Sequence, residues 1–226
     1  MPILRQGRSV ASPDLRPVRI SVNPVRRVPQ LLAGLALYGT SMAMMTRAGL
    51  GLNPWDVLHE GLSERTGLTF GTIVAITSVA VLLFWIPLRQ RPGVGTVANI
   101  VVISFTVDLV RAVLPQQHTL ACQIALMLGG IVVNALATAA YVGARLGPGP
   151  RDGLMTGLAA RTSRSVRLVR TGIEVAVLAA GWILGGTVGV GTVLYALAIG
   201  PLTQAFLPLV AWHARAAQRV PTRVDT

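Results

Sequence analysis

Lysine is absent from this 226-residue chain, cysteine occurs once and acidic residues number eight. Each scarcity excludes something. A lone Cys122 rules out an intrachain disulfide and a cysteine-based metal cluster. The three histidines, His59, His118 and His213, are far apart and share no ligand spacing, so neither a metal site nor a cofactor is read from the chain. No GxxxxGK[ST] loop occurs, which argues against ATP drive within this chain. No Ser or Cys nucleophile motif stands out, and the chain is not read as an enzyme. Charged residues make up 12% of the sequence against 52% hydrophobic. A soluble domain of this length needs more polar surface, so the composition describes a polytopic membrane protein.

What charge there is comes almost entirely as arginine. The net charge is +12, and all 20 basic residues are Arg, a compositional bias rather than a mechanism. In a membrane protein the plainer reading is an Arg-rich cytoplasmic face against anionic lipid headgroups, not a nucleic-acid surface. The stripe Arg161, Arg164, Arg167 and Arg170 fits that role.

Residues 1–28 carry six arginines and several prolines without helical period, and read as a disordered basic cytoplasmic tail. Six apolar runs follow, at about 30–48, 68–88, 93–114, 120–144, 168–186 and 189–212. Each is near the ~20 residues a helix needs to cross a bilayer. A basic cytoplasmic tail over 214–226 closes the chain.

The chain contains one stretch twice. Gly51 to Thr66, GLNPWDVLHEGLSERT, returns as Gly147 to Thr162, GPGPRDGLMTGLAART, at an offset of 96 residues. At the same offset Val79 to Leu82 returns as Val175 to Leu178, and Gly93 to Val97 as Gly189 to Val193. This is an internal duplication. The expected organisation is a three-helix membrane repeat over 29–118 and a second over 119–213. Three spans per copy is odd, so the second copy is expected to cross in the opposite sense. Charge supports this with both termini inside: 17 arginines fall in cytoplasmic segments, leaving Arg47, Arg65 and Arg111 outside. The expected fold is all-α, with six transmembrane helices in two inverted repeats. A short interfacial or re-entrant helix follows the first span of each.

Asn53-Pro54-Trp55-Asp56 reads as a helix start, with Asn53 as N-cap, Pro54 at the first helical position and Asp56 accepting from free backbone N–H groups. Gly149, Pro150 and Asp152 take those positions in the second copy, where Arg151 stands for Trp55. The short helices, about 54–65 and 150–161, serve either as elbows that set the angle between spans or as helix ends pointing at a central site. Trp55 reads as an interfacial anchor on the outer side.

The pattern G-L-G-x-x-P-W-D-x-x-x-x-G-L, Gly49 through Asp56 to Gly61-Leu62, resembles the YczE-like family of bacterial integral membrane proteins, related to the YitT-type proteins. The resemblance covers about residues 30–212. It implies a multi-pass protein of the bacterial cytoplasmic membrane and little about its chemistry.

Polar residues within apolar runs are the remaining pointers, because hydrocarbon penalises them. Asp108 and Arg111 are spaced as a local ion pair, or as a gate or proton-coupling carboxylate. Arg170 and Glu174 read as a local pair, and Asn99 and Asn134 as interhelical hydrogen bonds. The candidate substrate-binding or gating residues are therefore Asn53, Pro54, Trp55, Asp56, Pro150, Arg151, Asp152, Asp108, Arg111 and Asn134. The expected function is a small secondary transporter or permease for a small-molecule substrate. The alternative is a non-transporting accessory protein assisting a membrane partner, and a homo-oligomer is compatible with either.

Overall fold

A computed structural model describes residues 17–211, so the tail at 214–226, most of the tail at 1–28 and His213 lie outside the described residues. Within them the chain is helical throughout: α1 (Pro24–Ala48), α2 (Pro54–Thr66), α3 (Phe70–Leu88), α4 (Val94–Val113), α5 (Leu120–Gly143), α6 (Pro150–Thr162), α7 (Val166–Ile183) and α8 (Val190–Val210). The first helix begins at Pro24, inside the stretch expected to be disordered, because proline at the first helical position sacrifices no hydrogen bond there. Displacing α1, α2, α3 and α4 by 96 residues lands on α5, α6, α7 and α8 to within a residue. The copies even share local signals: Thr69 caps α3 at Thr72 N–H, and its counterpart Ser165 caps α7 at Leu168 N–H.

Five helices, α1, α3, α4, α5 and α8, are long and apolar enough to cross a membrane. The fifth expected span, α7, is not among them, since its eighteen residues include Arg167, Arg170 and Glu174. Large apolar side chains face outward, among them Phe84 (61% exposed), Phe105 (68%), Trp182 (68%) and Leu209 (77%). An exterior this apolar belongs in hydrocarbon.

The core is built on α1 packed along α5, with α4 against α1 and α8 against α5. Small residues permit the approach reciprocally: a Cβ on Gly34 of α1 would meet Tyr141 N at 2.8 Å, and one on its counterpart Gly130 of α5 would meet Met45 Cγ at 2.8 Å. The short helices cross over. α2 packs on α7 of the second copy, and α6 on α3 of the first. One crossing puts a large residue on α3 and a small one on α6, where Trp85 fills the space over Gly153. At the matched crossing the sizes are exchanged, with Gly181 of α7 lying against Val57 of α2.

Backbone hydrogen bonds lock the copies together. Gly191 N–H donates to Leu50 C=O at 2.8 Å, and Gly95 N–H donates to Leu146 C=O at 3.0 Å, the same bond at matched positions. Gly51 (φ +113°) and Gly147 (φ +134°) turn the chain into these contacts, where a side chain is strained and space is short. A Cβ on Gly51 would meet Gly189 N at 2.6 Å, and one on Gly147 would meet Gly93 Cα at 3.2 Å. The motif segment of each copy therefore touches the Gly-Val-Gly-Thr-Val block of the other.

Arg27 is fully buried and ties the start of α1 to the end of α5. Its Nε donates to Ala144 C=O at 2.9 Å and one terminal nitrogen to Arg145 C=O at 3.0 Å, while Val18, Arg19 and Val22 carbonyls receive the remaining guanidinium protons. A cation at a helix C-terminus also faces the negative end of its dipole.

Gly51→Ala and Gly147→Ala are each expected to cost ~1–3 kcal/mol of strain or more. Gly172→Ala, which meets nothing within 4 Å in α7, should stabilise by up to ~1 kcal/mol. Thermal unfolding in detergent checks the contrast, and equal melting of all three variants would remove the interlock.

Candidate functional site

The N-termini of α2 and α6 meet where the two copies touch. Asn53 Oδ1 accepts from Asp56 N–H at 3.0 Å, as an N-cap should. The Asp56 carboxylate, expected to take backbone donors, is held by side chains: Asn53 Nδ2 at 2.5 Å and His59 Nδ1 at 3.2 Å. Glycine at 149 leaves α6 without a side-chain cap, and Asp152 accepts from Tyr141 Oη at 2.8 Å.

Matched positions 55 and 151 face each other. The Arg151 guanidinium lies 4.9 Å from the centroid of the Trp55 ring and 3.8 Å from Asp56 Oδ1. Trp55 is 7% exposed and packs with Val81 and Trp85, so it is not an interfacial anchor. Where the first copy has an indole the second has a cation, which lies against the Trp55 ring and beside the buried Asp56 carboxylate.

His59 completes a buried chain: Nδ1 meets Asp56, and Nε2 lies 3.0 Å from Thr77 Oγ1 on α3. The Thr77 hydroxyl also donates to Ile73 C=O at 2.8 Å, which ties the imidazole to the backbone of α3. Burial pushes the imidazole below its ordinary value against the opposing effect of its hydrogen bond to Asp56. Sequence position gave no sign of this role, since His59 has a methionine, Met155, as its counterpart.

Beside these helix ends lie cavities. One of about 250 Å³ is lined by Tyr38, Tyr141, Tyr195, Asp152, Arg170 and Thr203, among others. It thus collects all three tyrosines of the chain. Asn134, expected as interhelical glue, anchors this wall: its Nδ2 donates to Ser41 Oγ at 2.7 Å, and its Oδ1 accepts from Tyr195 Oη at 2.9 Å. Arg170 pairs with Glu174 at 2.8 Å, also as expected. The tyrosines went unrecognised because each stands alone in its apolar run and only the packing of α1, α5 and α8 brings them together.

Two further cavities share five matched wall positions of the two copies. A cavity of about 320 Å³ is lined by Pro54, Arg170, Glu174, Tyr195 and Ile199 together with Arg167 and Gly200. Their counterparts Pro150, Val74, Ser78, Asn99 and Ile103 line a cavity of only about 50 Å³. The difference follows the helices. α3 packs along α4, whereas α7 stands off from α8. Asp108 of α4 secures the closed side by accepting from Gly71 N–H at 2.7 Å and from the Thr69 hydroxyl.

Asp108 therefore caps α3 and makes no ion pair with Arg111, whose guanidinium lies 4.8 Å from the Phe70 centroid. A helix N-terminus offers that carboxylate two donors without the rotamer cost of holding a long arginine. Both residues line a separate shallow cavity with Arg47 and do not join Asn53, Pro54, Trp55, Asp56, Pro150, Arg151, Asp152 and Asn134 around the centre.

Apolar spans around a buried polar centre define an all-α integral membrane protein. Residues 25–208 match the family of unknown function DUF6198, and the chain belongs to that family, with the YczE-like relationship its motif suggested. It is 35% identical over 179 residues to the uncharacterized membrane protein YczE of Bacillus subtilis, covering 78% of this chain and 83% of that one. An uncharacterized protein of Haemophilus influenzae is 39% identical, covering 80% and 83%. The uncharacterized protein YyaS of Bacillus subtilis is 27% identical, covering 80% and 92%. No solved structure matches.

Because the folded state lowers the His59 affinity for protons, it contributes stability above the unfolded value of about 6.5, lost as pH falls below it. Melting in detergent should fall between pH 7.5 and 5.5, with a slope of at most ~1.4 kcal/mol per pH unit from this group. His59→Gln should flatten that slope, and an unchanged profile would show that His59 is not buried neutral.

Proposed function

We propose that this protein is a small secondary permease, not an enzyme, moving a small solute through the bacterial cytoplasmic membrane by alternating which of its two matched cavities is open. The observation that carries the reading is the inequality of those cavities, about 320 Å³ against about 50 Å³, whose walls share five matched positions of the two copies. In this reading the copies form six spans in two inverted repeats, with α7 as the sixth and its charges turned to the cavity. Both termini lie in the cytoplasm, and the Arg-rich segments there meet anionic headgroups. The second state would part α3 from α4 and bring α7 onto α8, so that each copy takes the arrangement the other now has.

Orientation is tested with matched exposed positions in a Cys122→Ser background. Glu64→Cys should react with an impermeant thiol reagent on intact cells, and Ala160→Cys should react only after the membrane is opened. Labelling of both from outside would sink the inverted arrangement.

Alternation is tested with Arg167→Cys/Gly200→Cys, which lie across the open cavity, position 200 having nothing within 4 Å of an added Cβ. Proteoliposome uptake is measured from a panel of radiolabelled amino acids, organic acids and ammonium compounds. A disulfide between the two positions should abolish uptake, and reduction should restore it. Uptake that continues with the cross-link formed would refute alternation. A folded protein that moves nothing and co-purifies with a membrane partner would favour the accessory reading.

A further inference from the structure

We propose that the 250 Å³ tyrosine-lined cavity binds a small alkylated ammonium ion that carries a hydroxyl or carbonyl group. This inference rests on the permease reading for its purpose but not for its evidence, which is the chemistry of the wall. Two charged side chains line the cavity, Arg170 and Asp152. Arg170 is already neutralised by Glu174 at 2.8 Å. Asp152 accepts one hydrogen bond from Tyr141 Oη and has no ion-pair partner within 4 Å among the described residues. Arg151, next to Asp152 in sequence, is turned to Asp56 and to the Trp55 ring. Asp152, part-buried in the first turn of α6, is therefore the charge on this wall without an ion-pair partner, a condition that favours a bound cation.

The kind of cation follows from the rest of the wall. Tyr38, Tyr141 and Tyr195 all line it, and aromatic faces attract alkylated ammonium ions, which need no hydrogen-bond acceptors. Two of the hydroxyls are committed elsewhere, Tyr141 to Asp152 and Tyr195 to Asn134, which fixes the rings. Thr203 Oγ1, which also lines the cavity, is buried without a partner. A ligand hydroxyl or carbonyl satisfies it. The volume is below the ~300–1,000 Å³ of sites for drug-sized ligands, which limits the ligand to a few carbons.

Radiolabelled choline binding to the purified protein in detergent tests the assignment, with tetramethylammonium and glycine betaine as competitors. Saturable choline binding is expected, displaced by tetramethylammonium and poorly by the betaine, whose carboxylate opposes Asp152. Asp152→Asn should weaken binding at least ~10-fold, with Asp152→Glu restoring part of it. Thr203→Val should weaken choline while sparing tetramethylammonium, a contrast that misfolding cannot produce. Absence of saturable binding by folded protein, indifference to Asp152→Asn, or equal competition by the betaine would each overturn the inference. Choline bound but never moved across proteoliposomes would refute the permease reading and leave the site standing. Flux of another solute without ammonium binding would do the reverse.

Discussion

The pair of backbone hydrogen bonds from Gly191 to Leu50 and from Gly95 to Leu146 is the contact on which the architecture depends. Each joins the loop before a short helix to the start of the last long helix of the other copy. Neither copy can therefore form its own entrance to the site alone. The copies also exchange their short helices, α2 lying on α7 and α6 on α3. A chain that interlocks this way positions Asp56, Asp152, Trp55 and Arg151 together only when both halves are in place. Glycine is required at the interlock because backbone meets backbone there, with no room for a side chain on either partner.

Duplication supplied equivalence, and substitution then removed it where the copies had to differ. Trp85 over Gly153 and Val57 over Gly181 fill the two crossings with the bulk on opposite partners. Arg151 against Trp55 replaces a pair of like residues with a pair that attract. Asp108 ties α4 to the start of α3, while its counterpart Gln204 lines an open cavity. The halves thus share a backbone plan and differ in which gaps they fill, which is how one sequence duplicated onto itself holds two unlike cavities at once.

Much of this plan was legible in the sequence, because helix starts and duplication are local or periodic signals. The starts of α2 and α6 at Pro54 and Pro150 follow from capping chemistry, and the equivalence of the copies follows from the fixed offset. The site was only partly legible. The motif residues point to the centre, but the tyrosine wall, His59 and Arg27 acquire their roles through residues 18 to 157 positions away. Trp55 and Asp108 were misread for the same reason. Amphipathic composition suggested an interfacial ring and a local ion pair, while the packing offered a buried cation and a free helix end instead.

Arg27 carries a consequence for how the chain is made. Its guanidinium draws on carbonyls at 18, 19 and 22 and also on those at 144 and 145, at the far end of α5. During synthesis the first helix enters the membrane long before those last acceptors exist. The arginine must wait near the aqueous boundary, its charge served by water and headgroups, until more than half of the chain has followed it. Insertion and final assembly are thereby separated in time, and completion of the fifth helix is the event that seats the first.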